Sequence, residues 1–240
     1  MNIKGIYAKS TLAFSLTLVS LFFTPVAFGF ENKDAHGASL HGEMIREALA
    51  NRLCPANLHL IEQSCDSADD YFKGGKLKSG LAHIDREQKK LLNYAGEADV
   101  SPEARYRTLK HFGIMLRAAQ DFYSRTNYVE LEVKKMQHKQ GKAFDPYQLE
   151  LVDWSKLAQT NGFEAMDQAS KQMESAVKAS EDLGAATYFK AARELALRET
   201  GRQWDVLQSL IKNRYRDKAI TILTALKEAH CPDKEPDDLD

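Results

Sequence analysis

Apolar residues recur every three or four positions along nearly the whole chain, and no stretch of useful length alternates apolar with polar. That spacing gathers them on one side of a helix, whereas a half-buried strand needs a period of two. The expected fold class is therefore all-α. Leu40, Met44, Ile45, Ala48 and Leu53 mark one buried face over 39–53; Pro55 opens a second helix with Leu58, Ile61 and Cys65 inward. Glycines predict a loop over 73–80, followed by a helix over 82–95. Ser101, Pro102 and Glu103 form a helix start: a capping hydroxyl, a proline where no N–H is needed, and an acid at the positive end of the dipole. The helix they open, with the stripe Leu109, Phe112, Leu116, Ala119 and Tyr123, is expected to run to about His138. Asp145 and Pro146 repeat the start signal. Further helices are expected over 146–159, 164–182, 186–213 and 216–229.

The first 29 residues read as a secretory signal. Lys4 and Lys9 give a positive start, residues 12–23 an apolar run ended by Pro25, and Ala27, Phe28 and Gly29 the cleavage region. An exported chain, periplasmic or secreted, beginning at Phe30 is the expectation. About 210 residues then suit one helical domain over 30–230, followed by an acidic, proline-containing tail over 231–240. Removing two lysines and no acid leaves 31 basic against 34 acidic residues, without the basic surplus that duplex nucleic acid demands. Three cysteines cannot all pair within one chain. Cys54 and Cys65 would stand roughly 15 Å apart along a helix, so Cys54 with Cys231 is the preferred pair and Cys65 reads as a buried small hydrophobe.

Arg117, Asp121 and Arg125 are spaced four apart and so stack on one helical face. Leu116, Ala119 and Phe122 wall them. Spacing leaves two readings open: a surface ion-pair ladder worth a few tenths of a kcal/mol per pair, or a polar site set among apolar neighbours.

Residues 112–130 read Phe-Gly-Ile-Met-Leu-Arg-Ala-Ala-Gln-Asp-Phe-Tyr-Ser-Arg-Thr-Asn-Tyr-Val-Glu. This resembles the signature of Het-C-type proteins, Leu-Gly-x-x-Leu-His-x-x-Gln-Asp-Phe-Tyr-Ser-His-Ser-Asn-Trp-Val-Glu. Residues 40–49, 61–69, 81–85 and 191–200 resemble, in order, other segments of that family, so the likeness covers most of 40–205. The resemblance implies an antiparallel multi-helix bundle of the zinc phospholipase C type, a scaffold shared with zinc-dependent single-strand nucleases that hold three zinc ions. It implies metal-ligand roles for His41, Asp69, His83 and Asp121, with Asp121 bridging two ions, and places the Phe30 amino terminus where these enzymes use a terminal amine.

Two signature histidines are Arg117 and Arg125 here, and the late helix around Tyr188 offers none. A guanidinium has no lone pair to give, so neither position can bind zinc. Fixed positive charge can instead neutralise the carboxylates that zinc would neutralise. Two functions follow as expectations. One is an exported binding or interaction protein without trinuclear zinc hydrolysis, in which Arg117 and Arg125 recognise a phosphate ester or phospholipid head group. The other is a residual metal-dependent phosphodiester hydrolase using one or two zinc ions on the four implied ligands.

Overall fold

The computed structural model describes residues 39–69, 72, 77–141, 145–157 and 187–228. Of these, 82 % are helical and none forms a strand, which makes the protein all-α. The helices are α1 (Leu40–Leu49), α2 (Pro55–Asp66), α3 (Leu77–Ala95), α4 (Pro102–Arg125), α5 (Tyr128–Gln140), the short α6 (Trp154–Leu157), α7 (Tyr188–Tyr215) and α8 (Ala219–Lys227). The expected signal segment, Phe30, the helix over 164–182 and the tail lie outside the described residues.

The start signals act as their chemistry requires. Ser39 Oγ accepts the Gly42 amide at 3.0 Å, and Ser101 Oγ accepts that of Ala104 at 3.1 Å. Thr187 caps α7 in the same way through Lys190. Pro55 and Pro102 stand in the first turns of α2 and α4. The helix α4 lies at the centre, against α2, α3 and α7, while α1 packs on α2 and α7. Its stripe of Leu109, Phe112, Leu116, Ala119 and Tyr123 is fully buried. At Gly113 a Cβ would come within 2.5 Å of the Ile61 carbonyl oxygen and 2.8 Å of Ser64 Cβ, so the bare backbone is what lets α4 approach α2.

Three expectations need correction. The helix begun at Pro102 does not reach His138: it ends at Arg125, and α5 starts at Tyr128. Thr126 is extended, with its hydroxyl donating to the Phe122 carbonyl at 2.7 Å and accepting the Tyr128 amide at 3.3 Å. The bend brings Tyr128 against Phe122 and Tyr123, with ring centroids 5.4 and 5.7 Å apart. Secondly, Leu77–Gly80 belong to α3 and not to a loop. Gly80 serves packing, since a Cβ there would stand 2.4 Å from the Phe72 ring. Thirdly, the described part of 146–159 is not one helix but a 3-10 turn (Pro146–Gln148), an irregular strap and α6. Tertiary partners take the strap's backbone groups: Arg198 holds the carbonyls of Tyr147 and Leu149, Tyr128 Oη that of Glu150, and Tyr123 Oη accepts the Val152 amide.

Candidate functional site

Asp121 is completely buried near the C-terminal end of α4, at the meeting of α1, α2, α4 and α7. Residues one turn before and one turn after it on α4 turn their guanidiniums inward. Arg117 Nε donates to Asp121 Oδ2 at 2.9 Å, and Arg125 Nε lies 3.7 Å from Oδ1. From α1, His41 Nε2 lies 3.3 Å from Oδ1 and is itself completely buried. Arg117 is 8 % exposed, so this is an interior ion cluster and not a surface ladder. Burial alone would push the Asp121 carboxyl up; the contact with His41 and the charges of Arg117 and Arg125 overcome that and hold it below the ordinary carboxylate range.

A chain of hydrogen bonds orients His41. The Thr200 hydroxyl donates to the Ala196 carbonyl at 2.9 Å, so its oxygen accepts Gln120 Nε2 at 2.9 Å. That turns Gln120 Oε1 to His41 Nδ1, 2.6 Å away, and puts a hydrogen on Nδ1. Nε2 is left facing the carboxylate. Gln120 and Thr200 were not singled out as site residues from sequence. The signals were Gln120's place in the quoted signature and a polar residue on an otherwise apolar face, and on α4 the neighbouring charges overshadow both.

The other implied ligands stand apart from this pair. Asp69 is exposed, beyond the end of α2, although its charge is among those that His83 feels. His83 is buried on α3, where Arg86 Nη2 meets its Nδ1 at 2.7 Å and occupies that lone pair. Burial lowers its pKa to about 4, with Glu87 opposing and Arg86 assisting. Cys65 lies with its Sγ 3.9 Å from Gln120 Oε1, and burial pushes its thiol well up, away from the thiolate that zinc takes. Among the described residues no group of three or more His, Cys, Asp or Glu side chains converges to hold a metal ion. A closed zinc site needs four ligands and a catalytic one three. The donors His41 and Asp121, with permanent cations on both sides of the carboxylate, do not fit the trinuclear set.

Two further buried carboxylates escaped the sequence reading because each stands among other charged residues on its helix, Asp85 and Arg86 beside Glu87 and Arg198 and Arg202 beside Glu199. Glu199, completely buried on α7, accepts Tyr123 Oη and Trp154 Nε1 at 2.8 Å each, Gln203 Nε2 at 2.5 Å, and Arg202. It fastens the strap and α6 to the core. Beside it lies a cavity of about 660 Å³ whose lining includes Ile84, Asp85, Trp154, Arg202, Gln203 and Val206. Glu87, 2 % exposed on α3, pairs with His111 Nδ1 at 2.6 Å and Lys90 Nζ at 2.9 Å, joining α3 to α4.

Fold and site together define an all-α protein whose central helix carries an interior Arg–Asp–Arg cluster met by His41 of α1. Comparison with protein-family models, with curated proteins and with solved structures finds no match to the chain.

Proposed function

We propose that this is an exported binding or interaction protein on a phospholipase C-like helical frame of the Het-C type, in which arginine has taken over the charge-balancing part of zinc. One observation carries the reading: Arg117 Nε sits 2.9 Å from Asp121 Oδ2, inside the fold, where a metal-bridging aspartate would need its cation. A bidentate-capable, permanently charged group beside a buried acid removes the cost of that acid without any metal. The pair of guanidiniums also suits a phosphate ester or lipid head group as ligand. Metal analysis of the purified chain should find zinc far below one equivalent, and a phosphorylcholine ester should be bound and not turned over. Arg125→Gln should weaken that binding several-fold.

The facing pair of His41 Nε2 and Asp121 Oδ1 favours a second reading, a residual hydrolase with a metal at that point. Stoichiometric zinc together with chelator-sensitive turnover of the same ester would decide for it and against the first.

A further inference from the structure

Leu81, Ile84, Asp85 and Gln88 recur at helical spacing and form one stripe on α3. Arg202 and Val206, four apart on α7, form another. Both helices pack chiefly on α4 and little on each other, so the two stripes line the cavity of about 660 Å³, whose wall Leu151 and Trp154 help to complete. Its volume falls within the roughly 300–1,000 Å³ of small-molecule sites. The charged groups around it are not equally occupied. Asp85 Oδ2 is held by Lys89 Nζ at 2.6 Å and Asp153 Oδ2 by Lys156 Nζ at 2.9 Å, and both acids are exposed. Arg202 gives only Nη2 to Glu199, a carboxylate that also serves Tyr123, Trp154 and Gln203. Its Nε is buried without a hydrogen-bond partner, and among the described residues Glu199 is its only ion pair. The Arg202 side chain is 30 % exposed, so the guanidinium is open to the cavity that it lines.

The geometry points to a binding site for an amphipathic monocarboxylate, its apolar body against Leu81, Ile84, Leu151, Trp154 and Val206 and its carboxylate on the open edge of Arg202. A guanidinium offers five N–H donors in one plane, so an acid on one edge leaves another edge for a second. An apolar molecule without an acceptor would cover that edge and leave its donors unmet, which is costly. A small anion without an apolar body would leave the rest of the wall unused. Asp85 and Asp153 favour a single negative charge over a dianion such as a phosphate monoester, because they repel the second charge. The site uses none of Arg117, Asp121 and Arg125, so it stands or falls separately from the proposed function.

The purified full chain should be titrated by calorimetry with decanoate and, separately, with naphthoate, each kept below the concentration at which it aggregates. Saturable one-to-one binding is expected, and the tighter ligand tells whether the body is acyl or aromatic. Decanol, of the same length but uncharged, should bind about tenfold more weakly than decanoate, the worth of one charge-assisted hydrogen bond. That comparison needs no variant. Val206→Trp fills the cavity away from the Glu199 network and should abolish saturation, while Arg202→Gln should bring decanoate down to the affinity of decanol. Excess phosphorylcholine should displace neither carboxylate. Failure of both carboxylates to saturate would overturn the assignment, as would equal binding of decanol and decanoate. Undiminished binding to a folded Val206→Trp chain, or displacement by phosphorylcholine, would place the ligand elsewhere and overturn it too.

Discussion

Asp121 has no solvent of its own, and its charge is answered only from within: Arg117 and Arg125 from α4, His41 from α1. Asp121→Asn should therefore be costly, because it strands cations in a medium that solvates them poorly. A loss of about 3–5 kcal/mol is expected, read as a lower urea midpoint. The pair Arg117→His with Arg125→His restores neutral nitrogen donors beside the same carboxylate. The double variant should bind zinc tightly enough for metal analysis to detect it after dialysis, where the proposed function expects the parent chain to retain none. Glu87 predicts an acid limit to stability. Burial raises its pKa, but hydrogen bonds from His111 and Lys90 outweigh burial and bring it from 4.5 to about 2. Between those values the unfolded chain binds the proton and the folded one does not, so this contribution is complete above pH 4.5 and drains away as pH falls towards 2. It amounts to something on the order of 2–3 kcal/mol. Unfolding followed at pH 6 and pH 3 should show that slope in the parent and a shallower one in Glu87→Gln.

At the scale of elements, contact between helices depends on what is missing as much as on what is present. Gly113→Ala would drive a methyl group into the Ile61 carbonyl, which is backbone and cannot swing aside, so α2 and α4 must part. The expected loss is about 1–3 kcal/mol with helix content unchanged by circular dichroism. The strap is held differently, through one acid. Trp154→Phe keeps the ring packed on Phe122 but removes the Nε1–H that Glu199 accepts at 2.8 Å. Hydrogen exchange over 149–157 should quicken while α4 stays protected. Both features were hard to read in advance. Gly74, Gly75 and Gly80 together signal a turn, and only the Phe72 ring shows that Gly80 is there to leave room inside a helix. The break at Thr126 is equally hidden, because apolar spacing continues through it and a threonine hydroxyl satisfies the backbone on both sides.

At the scale of the molecule, the proposed function predicts indifference to metal. Melting followed by circular dichroism should give the same midpoint with a strong chelator, with added zinc and with neither, because bound metal would otherwise shift it by linkage. A rise with zinc that the chelator reverses would sink the reading. The amino-acid sequence by itself determined the all-α class, most helix starts and the stacking of Arg117, Asp121 and Arg125. These follow from local rules: the 3.6-residue turn, the capping hydroxyl, the fixed dihedral of proline. Only the tertiary structure decided that Asp121 is buried, that His41 comes to it while Asp69 and His83 stand apart, and that Gln120 and Thr200 orient the imidazole. A side chain's burial and partners depend on which helices meet, and that is set by packing between residues far apart in the chain, which no local pattern records.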